Sequence, residues 1–338
     1  MKALVYTAPG KVELQDRPDP SPGPDEVVVR VRAAGVCGSD VHGFLGKSKK
    51  RVPPLVLGHE IGGEVAATGS AVRDLPAGAR VAVFPLFTCG RCAPCRRGRT
   101  NVCPERILLG MNRPGGFAEY VVAPRAYCYP IPASMDFLSA SMVEPLATST
   151  NFFENHLRRP PAAAAVFGAG TQGILSLQGA RAAGARRVFV VDVNDARLEA
   201  ARRAGATRAI NGRSSDAVAS ILEATEGEGC DVVVDAAGIT PTRQQALRAA
   251  ARGGVVGLIG LSDPASELDC LEIVNRELTV QGVYAYPASS FARALALIAE
   301  RKVDVSSWVR EFPLAEGQSV LDRLASAPGD LVKASLVP

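Results

Sequence analysis

Four of the eight cysteines fall in one short run: Cys89, Cys92, Cys95 and Cys103, separated by two, two and seven residues. Gaps of two let consecutive thiolates bend round one ion, and tetrahedral zinc takes four sulfurs at ~2.3 Å. Four protein ligands leave no open position, so the run predicts a structural zinc. Arg91, Arg96, Arg97 and Arg99 surround it and offset the charge of the thiolates. A basic four-cysteine ribbon for nucleic acid is the competing reading, against which stands the confinement of these arginines to one lobe. Two further fragments, GVCGSDVH (35–42) and GHE (58–60), hold two of the three histidines. Cys37 and His59 suit a catalytic zinc, which has three protein ligands and an open fourth position. On spacing alone, two core residues are the plainer account of that pair. The third fragment is the loop Gly168-Ala169-Gly170-Thr171-Gln172-Gly173. It follows a strand pattern, opens a helix pattern and precedes a strand ending in Asp192, the context of a dinucleotide fingerprint. Gly168 would make the tight turn, Gly170 would admit the pyrophosphate and Gly173 would let the helix pack on its strand. Asp192 can accept from both adenosine-ribose hydroxyls and would repel a 2′-phosphate, so NAD is expected rather than NADP. Arg197 lies one helical turn further on, as a cofactor contact or as a surface arginine.

Two kinds of scaffold must position these residues. The first ~150 residues read as short valine-rich strands between Pro/Gly turns, an all-β module of barrel type. From Ala162 onward, strands such as RVFVVD and CDVVVD alternate with alanine-rich helices, the pattern of a doubly wound parallel sheet. Thr240 is expected to cap a helix that begins with Pro241 and ends at Gly253-Gly254. Ser289 or Ser290 is expected to cap the amphipathic FARALALIAERK. The tail contains two short strand candidates, REFPL and KASLVP, flanking a helix that starts near Ala315; pattern alone assigns this tail to neither domain.

Composition excludes several classes. At 338 residues, with 47% hydrophobic and 21% charged residues, the chain is long enough for two domains with ordinary cores. No run of ~18 apolar residues spans a membrane. MKALVYTAPG lacks a secretory leader's apolar stretch and cleavage site, so a cytoplasmic location is expected. The formal charge of +4 does not by itself imply nucleic acid.

GVCGSDVH, PLVLGHEIGGEVAATG, CGRCAPCRRGRTNVC, GGFAEY, VEPLA and VFGAGTQG occur in an order that resembles the zinc-dependent medium-chain dehydrogenases over the whole chain. The nearest branch is similar to the polyol dehydrogenases, the sorbitol, galactitol-phosphate and threonine dehydrogenase relatives. The resemblance implies an α/β protein: a GroES-like β-barrel catalytic domain (1–148 and 287–338) and a Rossmann NAD-binding domain (149–286). It implies two zinc ions per chain and NAD. Cys37, His59 and Glu144 would hold the catalytic zinc, Glu144 directly or through water. Glu60 would approach it as an alternative acidic ligand, and Asp40 would orient the zinc histidine. Ser39 would take the substrate's proton and His42 would pass it towards solvent. Asp40 could also cap a helix, and His42 could be a surface residue. The strand near Leu278–Tyr284 would form a dimer by sheet extension, giving a homodimer or homotetramer.

The implied activity is oxidation of a secondary alcohol: a polyol, cyclitol, amino-polyol or sugar derivative, with threonine-like amino-alcohol oxidation as the enzymatic alternative. An NAD-sensing or nucleic-acid-binding protein on the same fold is the non-enzymatic one, opposed by the intact Cys37/His59/Glu144 set. Sorbitol dehydrogenases carry an arginine and then a tyrosine after the dimer strand. Here Tyr286 persists in Tyr284-Ala285-Tyr286 without the arginine, which disfavours sorbitol itself. Lys47, Lys49, Lys50 and Arg51 read as a solvated surface run, or as an attractor for a phosphorylated substrate.

Overall fold

A computed structural model describes residues 1–326 and 329–338. The chain divides into two units. One comprises Met1–Pro145, Pro287–Arg301 and Val305–Pro338, the other Leu146–Tyr286 and Lys302–Asp304.

In the first unit, the central strand Glu26–Gly35 pairs antiparallel with Glu60–Thr68, Tyr120–Pro124 and Lys333–Val337. Val27, Val28, Val29 and Val31 are buried, whereas Arg30 and Arg32 face solvent. This half-alternation suits a strand that packs on a core and still shows charge at its exposed positions. Strand Val309–Pro313 pairs parallel with Lys333–Val337, so the C-terminal segment belongs to this sheet. Leu4, Tyr6, Phe44, Leu57, Ile61, Phe117 and Leu336 are among the residues of the enclosed core.

The second unit holds, among the described residues, a six-stranded parallel sheet. Its strand order is Arg208–Asn211, Arg187–Asp192, Ala163–Phe167, Cys230–Asp235, Ala250–Leu258, Thr279–Gly282. Counted along the unit, that is 3-2-1-4-5-6, the doubly wound order in which a dinucleotide binds at the reversal point. Ala163–Phe167 is buried at every position, as a strand covered on both faces must be. The expected barrel-type module and doubly wound sheet are therefore both present.

Some local expectations fail. Helix Thr240–Ala249 is preceded by Ile239 as its cap residue, while Thr240 Oγ1 donates to Asp263 at 3.2 Å. The helix stops at Ala249, because Gly253 and Gly254 lie inside strand Ala250–Leu258. Helix Ala288–Ala299 starts from Pro287, which places Ser289 and Ser290 within its first turn. In both cases a proline next to the boundary sets the start, and the nearby hydroxyl is not needed as a cap. Arg51 is not part of a surface run: its side chain is 6% exposed, whereas Lys47, Lys49 and Lys50 are exposed.

Candidate active site

The register of two strands brings the first site together. Gly35 pairs with Glu60, so the chain leaving Gly35 carries Cys37 next to His59 and Glu60. Donor atoms of Cys37, His59 and Glu60 lie within 4.8 Å of one another. A Cβ on Gly35 would come 1.9 Å from Glu60 Oε2, so only glycine leaves room for this carboxylate. Lys333, 1% exposed, reaches in from the C-terminal strand. Its Nζ donates to Glu60 Oε1 at 2.6 Å and to the Val36 carbonyl at 2.9 Å.

Cys37 stands at the N-terminal boundary of helix Gly38–Phe44, and Asp40 Oδ2 accepts the Cys37 N–H at 3.1 Å. Asp40 Oδ1 faces His59 Nδ1 at 3.3 Å. The two readings of Asp40 therefore coincide: it closes the helix start and stands behind the histidine. Burial alone would raise its pKa, but the charge and hydrogen bond of His59, the charge of Arg51 and the Cys37 N–H hold it below the ordinary value. Burial would lower the pKa of His59, yet the charge and hydrogen bonding of Asp40 and Cys37 together outweigh it and raise it well above the usual histidine value. A carboxylate behind one ring nitrogen makes the other a better metal ligand. A thiol, an oriented imidazole and a carboxylate fit zinc as a donor set.

Ser39 is half-buried on the same helix, with its Oγ 3.1 Å from Arg51 Nη2. His42 is exposed one turn further on. Glu144 stands outside the Cys37–His59–Glu60 group, half-buried in the first turn of helix Val143–Asn155. Sequence reasoning missed Lys333, for which nothing in the sequence gives a signal. It misread Arg51, although the switch from a polar run to Val52-Pro53-Pro54-Leu55-Val56 marks the point where the chain turns inward.

Cys89, Cys92, Cys95 and Cys103 also bring their sulfurs within 4.8 Å of one another, all as free thiols. Cys89 and Cys103 sulfurs are 3.5 Å apart, near the ~3.8 Å that ~2.3 Å bonds to a tetrahedral ion would set. The acidities of Cys103 and Cys92 are pulled apart. Burial opposes ionisation of Cys103, but hydrogen bonds from the Cys89 region and Glu105 lower its pKa to about 7. For Cys92 the N–H bond associated with Cys95 lowers the pKa, but desolvation and contacts with the other three thiols together raise it to about 12. Four sulfurs gathered this closely fit a site that a cation completes.

In the second unit, Gly168 has φ +97°, a conformation that side chains disfavour. A Cβ on Gly173 would lie 1.8 Å from the Gly168 carbonyl oxygen, whereas one on Gly170 would meet nothing within 4 Å. That open space is at the start of helix Thr171–Ala182, beside Thr171 and Gln172, where N–H groups face outward and favour an anion. Asp192 ends the adjoining strand. Its Oδ2 accepts from the Ala169 N–H at 2.6 Å, and Oδ1 from Val193 and Asn194 at 2.7 and 2.9 Å. Arg197 is half-buried in the next helix, its N–H held by Asn194 Oδ1 at 3.2 Å. These residues fit a dinucleotide.

A zinc-type donor group in the strand-rich unit and a glycine loop on a 3-2-1-4-5-6 sheet define a dehydrogenase that pairs a metal with a nicotinamide coenzyme. The comparisons agree. Residues 23–133 match the alcohol dehydrogenase GroES-like domain, and residues 173–300 the zinc-binding dehydrogenase domain. Sorbitol dehydrogenase of Bacillus subtilis is 33% identical, over 100% of this chain and 97% of that protein. L-threonine 3-dehydrogenase of an Anaeromyxobacter species is 35% identical over 96% of both. A solved Sinorhizobium meliloti chain, classed as a zinc-binding dehydrogenase and bound to NADP, has a TM-score of 0.93 and 34% identity. The match covers 100% of this chain and 99% of that one. The chain belongs to the zinc-dependent medium-chain dehydrogenase family, in its polyol dehydrogenase-like branch. It is an oxidoreductase, and the sensor and nucleic-acid readings find no support among these relatives.

Proposed function

We propose that the chain oxidises a secondary alcohol of a polyol, cyclitol, amino-polyol or sugar derivative, free or phosphorylated, and uses NAD in preference to NADP. The observation that carries the reading is the Cys37–His59–Glu60 group with Ser39 on the adjoining helix. When bound, zinc would supply Lewis acidity at the substrate hydroxyl and NAD an acceptor for hydride. Cys37 and His59 are the ligands, Asp40 fixes the imidazole, and a carboxylate from Glu144 or Glu60 completes the set. Ser39 accepts the substrate's hydroxyl proton. His42, three residues on and so on the same helix face, passes it towards water. Cys89, Cys92, Cys95 and Cys103 hold a second, structural zinc. Gly168, Gly170, Thr171, Gln172 and Gly173 take the pyrophosphate, and Asp192 takes the adenosine ribose, with Arg197 beside it.

Threonine-like amino-alcohol oxidation is the second reading, favoured by the 35% identity to L-threonine 3-dehydrogenase. We further propose a cytoplasmic homodimer or homotetramer. Among the described residues no helix is long and apolar enough to cross a membrane. Strand Thr279–Gly282 leaves one edge of its sheet available for a second copy.

The test is NADH or NADPH formation over sorbitol, xylitol, myo-inositol, galactitol 1-phosphate and L-threonine, with zinc measured on the same preparation. Turnover of at least one polyol or sugar phosphate with NAD, at two zinc ions per chain, is the expected result. Turnover of L-threonine alone would select the second reading. NADPH formation as fast as NADH would remove the assignment of Asp192.

A further inference from the structure

Arg51 is a buried cation that the mechanism above does not use. Two separate parts of the first unit hold its guanidinium, the Gly110 turn and helix Gly38–Phe44. Nε donates to the Gly110 carbonyl at 3.2 Å, Nη2 donates to Ser39 Oγ at 3.1 Å, and Nη2 lies 3.6 Å from Asp40 Oδ1. Its path is kept clear by Gly43, where a Cβ would come 2.3 Å from Arg51 Cδ. Its anchor is braced as well: a Cβ on Gly110 would come 2.8 Å from the N of Gly58, the residue before His59. The arginine thus joins the hydroxyl of Ser39 to the carboxylate that orients His59.

We propose that Arg51 is a positioning residue for proton transfer: it holds Ser39 Oγ in the orientation that receives a proton from the substrate. This rests on the reading of Ser39 as the relay. A serine hydroxyl has one O–H to give and two lone pairs, and a guanidinium only donates. With Nη2 on one lone pair, Ser39 keeps one lone pair for the incoming proton and one O–H to hand on. In the step, the substrate O–H breaks and its proton joins Ser39 Oγ, while the former Ser39 proton leaves to His42 or water. Ser39 ends as it began, and Arg51 exchanges nothing. Its fixed charge, one hydrogen bond away, makes the Ser39 O–H more acidic and so favours departure of the former Ser39 proton as the substrate's proton arrives. Lysine, a flexible point charge, cannot reproduce a fork shared between Gly110, Ser39 and Asp40.

The experiment compares Arg51→Gln, Arg51→Lys, Gly43→Ala, Ser39→Ala and the double variant Ser39→Ala with Arg51→Gln, as zinc-loaded enzymes. The substrate is the fastest of the five compounds named above. Arg51→Gln is expected to lower kcat about a hundredfold, the scale of a misplaced reacting group, with KM, zinc content and NADH affinity by fluorescence near unmodified values. Arg51→Lys should recover only part of the loss, and Gly43→Ala should lower kcat while leaving Arg51 in the chain. In the Ser39→Ala background, Arg51→Gln should add less than about twofold, because the group it positions is gone. If Ser39→Ala turns over normally, the relay reading falls and this inference with it. If Ser39→Ala is impaired and Arg51→Gln either has no effect or costs the same in both backgrounds, the relay stands and the role of Arg51 is refuted. A drop confined to melting temperature or zinc content would make Arg51 scaffold only. If Arg51→Gln does not fold, Arg51→Lys and Gly43→Ala decide between the same two roles by the same readouts.

Discussion

Replacing Gly170 or Gly173 by alanine adds the same single methyl to one loop, and the structure assigns the two changes opposite consequences. The new carbon at position 173 would sit 1.8 Å from the Gly168 carbonyl oxygen. Carbon and oxygen settle no closer than ~3.3 Å, so helix Thr171–Ala182 must move off its strand by ~1.5 Å. The obstacle is backbone, so the cost belongs at the upper end of overpacking, ~3 kcal/mol. That lowers the melting temperature of a domain this size by roughly 6–12 °C. At position 170 the carbon meets nothing within 4 Å, and φ of −74° suits alanine. Folding should change by less than about 1 kcal/mol. The methyl does occupy the space where the phosphates would approach the helix N-terminus. Coenzyme affinity should fall roughly tenfold to a hundredfold, ~1.4–2.8 kcal/mol. Thermal melting of each variant, with NADH titration by fluorescence on the same samples, separates the two effects. A Gly170→Ala protein that binds NADH normally, or that melts as low as Gly173→Ala, would refute the reasoning.

Four other outcomes are expected. Cys92→Ser should lose one zinc per chain and melt earlier, since a structural zinc contributes folding energy; unchanged metal content would sink the four-thiolate assignment. Asp192→Ala should narrow an NAD preference of at least about tenfold in kcat/KM by removing both ribose hydrogen bonds and charge repulsion; a widened preference would contradict it. Lys333→Met strands the Glu60 carboxylate, and breaking a buried pair costs ~3–5 kcal/mol. Adding Glu60→Gln should restore most of that stability, and a double variant as unstable as the single would show that the pair is not what matters. Glu144→Gln should cut turnover strongly, lower zinc at one site and spare NADH binding; full zinc with full turnover would remove Glu144 from the site.

The second unit is readable because its determinants are local. A buried strand, a glycine turn, a helix and a strand ending in Asp192 follow one another in sequence. Each imposes its own backbone rule: a positive φ at Gly168, no room for a side chain at Gly173. The four-cysteine run is legible for the same reason, its short gaps being enough to bring the four sulfurs together. The expected caps at Thr240 and Ser289 fail because a hydroxyl signals a helix start only weakly when a proline beside it already fixes the entry.

The first site obeys a different logic. Cys37 and His59 announce a metal only as types, and what makes them neighbours is the pairing of Gly35 with Glu60 across two strands. That pairing also decides what else arrives. Lys333 reaches Glu60 from 273 residues away because the C-terminal strand adds to the same edge. Arg51 reaches Ser39 because Gly43 leaves a gap in the facing helix. Neither contact has a periodicity or a spacing that a linear reading could register, since each depends on an absence, a missing Cβ at Gly35 or Gly43, that becomes meaningful only when another segment fills it. The two basic residues sit in surroundings no hydropathy pattern assigns to them, and each is tolerable there only because its partners are already charged or polar and fixed. Residues suited to a metal can therefore be picked out by their chemistry, whereas the basic residues packed against them must be found from the fold.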